Sequence, residues 1–138
     1  MKERTKRGAA GVRRHVASDH RRLDALFRDT RAAFVRATAG GAFGRLREAL
    51  LGHLAQEDCL YYPAIAALRP EYAGALHALA TAHDDFRRRL ARVAARLARG
   101  EVEAARTRFD ALVREFGRHE RREERLLGEI ERAGAPAA

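Results

Sequence analysis

Apolar residues recur alternately three and four positions apart along four long segments of this 138-residue chain. That spacing places them on one face of an α-helix, because a helical turn takes 3.6 residues. Gly40-Gly41, Arg69-Pro70 and Gly100 separate the segments, and short connections between long helices favour antiparallel neighbours. The sequence therefore predicts an all-α, up-down-up-down four-helix bundle. The predicted helices span residues 10–38, 42–68, 71–99 and 101–132.

The composition favours helix over strand, because Ala, Leu and Arg are abundant and only three prolines occur. One of them, Pro63, falls inside the second predicted helix and should bend it. A chain of this length can bury one core. We therefore expect one domain over residues 11–132, preceded by a basic flexible arm (1–10) and followed by a flexible tail (133–138).

The chain is strongly basic, with 28 Lys and Arg against 19 Asp and Glu and a formal net charge of +9. Such a charge could attract nucleic acid or an acidic partner. The arginines, however, occur in every segment and alternate with acids, which is typical of solvated helix faces. We therefore consider a nucleic-acid function less favoured than the alternatives given below. Such a function would be detected as salt-dependent association with DNA.

The sequence also indicates the cellular compartment in which the protein is expected. No stretch reaches the roughly 18 apolar residues that a membrane span requires, and the basic N-terminus lacks the apolar region of a secretory signal. Cys59 is the single cysteine, so an intrachain disulfide cannot form. We expect a cytoplasmic protein without membrane contact.

Six positions on the inward faces carry His or Glu instead of an apolar residue. The first helix pair supplies His20, then His53 and Glu57, and the second supplies His83, then His119 and Glu123. Residues four apart lie one helical turn above each other, so each His-x-x-x-Glu pair can point at one site. Counted from the turns at about 1.5 Å per residue, all six fall within a slab of roughly 10 Å. The sequence thus predicts that they meet in the interior.

Imidazoles and carboxylates without partners would be costly in an apolar interior, and two metal cations would remove that cost. Four His and two Glu divide into two His per metal with both carboxylates bridging. Mixed imidazole and carboxylate donors favour iron or manganese over calcium, and the lack of thiolates argues against structural zinc. A single inward His is more often a hydrogen-bonded core residue; the repeated arrangement is what predicts the metal site.

Four stretches carry these residues, in the order SDHRRLDALF, HLAQEDCLYYPAI, AHDDFRRRL and HERREERLL. Together they resemble the four helix motifs of the haemerythrin-like, or HHE cation-binding, family over residues 12–130. The resemblance implies a four-helix bundle that holds two non-haem iron ions with a bridging oxo or hydroxo group. It assigns as ligands the same six residues that the inward faces single out.

The third helix departs from the oxygen-carrying haemerythrins, which have a His-x-x-x-His pair there. Leu79 stands four residues before His83, and His77 lies off the inward face, so invertebrate-type oxygen carriage is not expected. The chain is similar to the His, His-x-x-x-Glu, His, His-x-x-x-Glu subclass. That subclass includes di-iron proteins for the repair of damaged iron centres, which usually carry an N-terminal Cys-bearing segment that this chain lacks.

For this subclass the resemblance implies binding of, or reaction with, O2, NO or peroxide, with a redox partner. Two interpretations stay open at this point. One is a peroxide- or NO-consuming oxidoreductase, and the other is an iron-buffering protein or a redox or gas sensor without turnover. Consumption of peroxide or NO at steady state would separate them.

Several neighbours of the six residues are candidates for supporting roles. Tyr61 follows Glu57 by four residues, so its phenol is a candidate ligand, hydrogen-bond donor or electron relay. The favoured interpretation is a partly buried tyrosine with its hydroxyl at the surface, and Tyr62 is the weaker candidate. Asp24 follows His20 by four, although a salt bridge to a neighbouring arginine is the favoured interpretation.

Asp58 and Glu124 stand next to two of the predicted ligands. Each is a candidate acceptor that orients an imidazole through its other ring nitrogen. Solvated ion pairs would explain both residues equally well.

Overall fold

The computed structural model describes residues 2–134, and over this range the chain forms four long helices that pack side by side. The elements are α1 (Lys2–Val35), α2 (Ala39–Gln56), α3 (Tyr62–Leu68), α4 (Ala73–Ala98) and α5 (Val102–Ala133). A π-helical turn over Glu57–Tyr61 joins α2 to α3, so these three make the second long helix. Both α1 and α4 contact α2 and α5. The predicted four-helix bundle is confirmed.

The first helix starts earlier than predicted. It begins at Lys2, inside the arm expected over residues 1–10, because the Lys, Glu, Arg and Ala residues there are good helix formers. Residue 1 and residues 135–138, which make up most of the expected tail, lie outside the described residues. The division into arm, bundle and tail stays a prediction.

The first turn also differs from the prediction, which placed it at Gly40-Gly41. Ala37 adopts a left-handed conformation with φ of 58°, and the N–H of Thr38 bonds to the carbonyl of Ala33 at 2.9 Å. This arrangement closes α1 before the glycines are reached, so both glycines lie in α2. Gly100, with φ of 74°, ends α4 at the predicted place, where a left-handed residue favours glycine.

The π-helical turn changes which residues of the second long helix face inward. A π turn inserts one extra residue into the helical register, and here the N–H of Tyr62 bonds to the carbonyl of Glu57, five residues earlier. A uniform α-helix would place Leu60 inward, but Leu60 is 58% exposed. Tyr62 and Ile65 are buried instead. Pro63, which has no N–H to donate, follows this turn directly.

Two apolar clusters fill the interior, one on each side of the predicted His and Glu layer. The larger cluster is rich in leucine and phenylalanine and includes Leu23, Leu50, Phe86, Leu90, Phe109 and Phe116. The smaller one contains Val16, Tyr62, Ile65, Leu76, Leu79, Leu127 and Ile130. Along α1, His20 lies between Val16 of the smaller cluster and Leu23 of the larger. The polar layer is therefore covered by apolar side chains on both sides.

No helix within residues 2–134 is both long enough and apolar enough to cross a membrane.

Candidate metal centre

The structure brings the six predicted residues into one buried layer. α1 contributes His20, α2 contributes His53, the π-helical turn contributes Glu57, α4 contributes His83, and α5 contributes His119 and Glu123. None of these residues is more than 2% exposed. Each long helix of the bundle thus presents at least one metal-ligating side chain to the same interior space.

The six residues form two groups of four that share both glutamates. The first group is His20, His53, Glu57 and Glu123, and the second is Glu57, His83, His119 and Glu123. Within each group the donor atoms lie within 4.8 Å of one another. Two imidazoles therefore belong to each group alone, and two carboxylates are placed to bridge both. This is the division that the sequence predicts.

Several donor atoms lie close to each other and have no hydrogen-bond partner, whereas Nε2 of His83 and Nε2 of His119 lie within hydrogen-bond distance, at 3.1 Å. Nε2 of His53 lies 3.1 Å from Oε1 of Glu57, and Nε2 of His20 lies 2.9 Å from Oε1 of Glu123. None of these four atoms has a hydrogen-bond partner among the described protein atoms, nor has the other oxygen of Glu57. Buried polar atoms without partners cost about 1–3 kcal/mol each. Convergent, unsatisfied N and O lone pairs fit transition-metal ions.

Three of the imidazoles are in the form that binds metals at neutral pH. Burial lowers the pKa of His119 to about 4, and it also lowers the pKa of His53 and of His83. A neutral imidazole has a free lone pair for a metal. These three rings can therefore bind a metal ion without first losing a proton.

His20 and the glutamates hold protons that a cation would displace. Burial opposes charge on His20, but Glu123 outweighs it and raises the pKa of His20 to about 9. Burial and the adjacent Glu123 carboxylate raise the pKa of Glu57 well above its ordinary value. Two carboxylates so close in an apolar layer retain one proton between them when no cation is present.

Carboxylates outside the two groups orient three of the four imidazoles. Nδ1 of His83 lies 2.7 Å from Asp58, and Nδ1 of His53 lies 3.1 Å from Asp19. Nδ1 of His20 lies 3.1 Å from Glu124. Such contacts fix the ring so that Nε2 points at the site. Asp58 and Glu124 therefore take the orienting positions considered for them in the sequence.

The sequence analysis did not single out Asp19. It precedes His20 in sequence but contacts His53 of the neighbouring helix. Only the packing of α1 against α2 shows this contact. His119 has no such carboxylate: its Nδ1 has no hydrogen-bond partner among the described atoms, and its ring packs on Phe86 at a centroid distance of 5.0 Å.

Tyr62, the weaker of the two tyrosine candidates, contacts a predicted ligand, and Tyr61 is partly buried, in agreement with the favoured interpretation of that residue. Tyr62 is 4% exposed, its hydroxyl donates to Oε2 of Glu123, and its ring centroid lies 5.6 Å from that of His83. Tyr61 is half-buried and its ring faces His15 at 6.1 Å. The extra residue of the π-helical turn accounts for this difference between the two tyrosines. Burial and the neighbouring carboxylates raise the pKa of Tyr62, so its hydroxyl keeps the proton.

A further acid that the sequence reasoning missed is Glu120. It is only 8% exposed and its Oε2 lies 3.5 Å from Nδ1 of His20. Burial and then the nearby Asp24 carboxylate, against the opposing effect of His20, raise the pKa of Glu120 to about 8. Asp24 belongs to neither group of four donors. It therefore lies beside the site and not in it.

The bundle and its two donor groups define a class, the helical-bundle proteins with a candidate metal centre of His and Glu. Comparison with protein families makes the class specific. The family model described as the Hemerythrin HHE cation binding domain matches residues 12–130. The chain therefore belongs to the hemerythrin HHE cation-binding family. Searches of curated proteins and of solved structures find no match.

Proposed function

We propose that this protein is a non-haem di-iron protein that binds or reacts with O2, NO or peroxide. The observation that carries the proposal is the pair of buried donor groups that share Glu57 and Glu123. Two iron ions with a bridging oxo or hydroxo group would supply redox chemistry and open coordination positions for a small molecule. The residues of this chain would bind the ions, orient the ligands and exclude water.

The ligand set supports small-molecule chemistry over oxygen carriage of the invertebrate type. Leu79, at the position of the missing fifth histidine, is buried in the smaller apolar cluster, and His77 is exposed. Neither side chain adds an imidazole to the layer. Two imidazoles per ion and two shared carboxylates leave positions open on both ions.

Water would be kept from the site by the aromatic residues of the larger cluster. The ring centroid of Phe116 lies 5.4 Å from that of Phe86 and 5.5 Å from that of Phe27, and Phe86 also packs on His119. These rings form an apolar wall on one side of the layer. Tyr62 holds a proton on its hydroxyl at the opposite side, in hydrogen-bond contact with Glu123.

The charge of the chain does not by itself indicate a nucleic-acid function. Arginines on several surfaces pair with acids, as Arg31 does with Asp110 and Arg89 with Asp85. Such pairs are ordinary on solvated helix faces. We propose a small diatomic or peroxide as the ligand and a redox protein as the partner. A cytoplasmic location is part of the same proposal.

A metal analysis with an absorption spectrum tests the proposal. Purified protein loaded with iron should contain about two irons per chain and show near-ultraviolet charge-transfer bands. The variant His83→Ala should lose iron and the bands, whereas His77→Ala, which changes an exposed histidine of the same helix, should keep both. A folded, colourless protein that takes up no iron would refute the proposal.

Turnover distinguishes an enzyme from a sensor or an iron buffer. Iron-loaded protein is mixed with an excess of peroxide or NO and a reductant, and the loss of substrate is followed. An oxidoreductase consumes many equivalents per chain, whereas a sensor or buffer stops once each chain is occupied.

A further inference from the structure

A cleft of about 340 Å³ runs between α1 and α5 beside the candidate metal centre. Asp24 and Phe27 of α1 line one side, and Phe116, Gly117 and Glu120 of α5 line the other. At one end, Glu120 lies 3.5 Å from the ring of His20. The cleft thus reaches from the surface to the edge of the buried layer.

The ring of Phe116 lies between this cleft and two of the six candidate ligands. It lines the cleft, and its ring centroid lies 6.3 Å from that of His20 and 6.1 Å from that of His119. The thickness of one aromatic ring therefore separates the cleft from the site.

Gly117 keeps the cleft open next to Phe116. Glycine is unfavourable inside a helix compared with alanine, and Gly117 is not among the described residues with positive φ. A Cβ atom there would meet only the mobile end of Arg121, at 3.5 Å. The backbone therefore does not require glycine at this position. Because Gly117 has no side chain, the cleft is open at this position.

The chemistry of the cleft indicates what can pass. Phe27 and Phe116 make its inner surface apolar, and Glu120 lies at the end nearest His20. The other charged lining residues are Asp24, Arg28, Arg31 and Arg121. An ion of either sign would lose its hydration shell against the two aromatic rings, which costs free energy. A small uncharged molecule does not have this cost.

We propose that this cleft is the access route by which small uncharged molecules such as NO, O2 and hydrogen peroxide reach the metal centre, with Phe116 as its inner gate. The inference rests on the proposed function, since it needs an ion at the site to receive the molecule. An access route changes how fast a ligand arrives and leaves, and it leaves the affinity unchanged because the end states are the same.

The kinetic test uses Gly117→Leu, which fills the cleft, and Ala104→Leu as the matched control. Ala104 lies on the same helix and lines a different cleft between α4 and α5. In stopped-flow experiments with NO and ferrous-loaded protein, Gly117→Leu should slow association and dissociation together by about tenfold. The control should keep the rates of the original protein. Unchanged rates in Gly117→Leu, or a change in affinity alone, would overturn the inference.

A second measurement needs no iron. Dissolved xenon, which occupies apolar cavities, should shift the NMR signals of the Phe27 and Phe116 rings in metal-free protein, and the shifts should shrink in Gly117→Leu. Absence of xenon shifts at these rings would contradict the inference. If iron fails to bind at all, the proposed function fails, while the xenon result still decides whether the cleft admits small apolar molecules.

Discussion

At the scale of single residues, the donor atoms of each group lie within 4.8 Å of one another, and two protons must leave before all of them can bind a metal. His20 is protonated at neutral pH because Glu123 raises its pKa to about 9. The glutamate pair keeps a further proton because burial and the second carboxylate raise the pKa of Glu57. Metal binding must displace both, since only deprotonated groups ligate.

We therefore expect metal binding to release about two protons per chain at pH 7, and the affinity to rise as the pH increases towards 9. The affinity rises with pH because only the metal-free protein binds these protons, and a higher pH removes them before the metal has to displace them. Titration calorimetry with cobalt in two buffers of different ionisation enthalpy measures the released protons. Identical heats in the two buffers would contradict this expectation.

The carboxylate behind His83 provides a second prediction at this scale. Asp58→Ala removes the acceptor that holds Nδ1 of His83, and loss of such an acceptor typically lowers metal affinity 10–100-fold. The matched control is Asp84→Ala, because Asp84 also pairs with Arg87 but at the surface. Competition titrations with a chelator measure both affinities. Equal affinities in the two variants would show that Asp58 does not support the site.

Tyr62 and Tyr61 form a natural pair for a stability measurement. Tyr62→Phe removes the hydroxyl that donates to the buried Glu123, so the free energy of unfolding of the metal-free protein should fall by about 1–2 kcal/mol. Tyr61→Phe changes a half-buried neighbour and should alter it by less than about 0.5 kcal/mol. Urea denaturation measures both values. The reverse order would mean that the assignment of Tyr62 to the site is incorrect.

At the scale of the elements, the π-helical turn over Glu57–Tyr61 determines which tyrosine faces the site. It accommodates one residue more than an α-helix would. Deletion of the exposed Cys59 should therefore convert the turn to α-helix and keep Tyr62 inward. Deletion of Ala55, which lies between His53 and Glu57, should instead rotate one of these two ligands by about 100° relative to the other.

The two deletions are compared by circular dichroism and by metal titration. The protein without Cys59 should stay helical and bind metal within about tenfold of the original affinity, whereas the protein without Ala55 should lose metal binding. If both deletions abolish metal binding equally, the π-helical turn has a role in the site beyond accommodating one extra residue.

Regular helical periodicity explains why so much of the arrangement could be predicted from the sequence. Most of the six ligands lie in stretches of uniform α-helix, as do His20, His53, His83 and Glu123. A spacing of three or four residues between inward positions therefore identifies the face on which they lie. The same counting fails after Glu57, where the π-helical turn shifts the register. No residue type in the sequence marks that shift beyond the presence of Pro63.

Contacts between helices explain most of the rest. Asp19 and Glu120 lie beside ligands on other helices, and periodicity within one helix gives no information about which residues of a neighbour are close. The early start of α1 follows from the helix-forming residues at the N-terminus. The turn at Ala37 has another cause, because local capping geometry ends α1 before the two glycines on which the boundary was predicted.

At the scale of the whole molecule, one polar layer lies between two apolar clusters and draws a ligating residue from every long helix. Ions bound in that layer would connect all four helices at once. Binding to the folded state alone stabilises a protein by mass action. With ions bound, the centre would link the four helices in addition to the chemistry proposed for it.

The shared glutamates give the most direct test of this account. Iron is titrated anaerobically into the original protein, into Glu57→Ala, and into His77→Ala as the exposed control. We predict about two ions per chain for the original and the control, and loss of both ions in Glu57→Ala because its carboxylate belongs to both groups. Two ions bound by Glu57→Ala, or none bound by the original protein, would contradict the central claim.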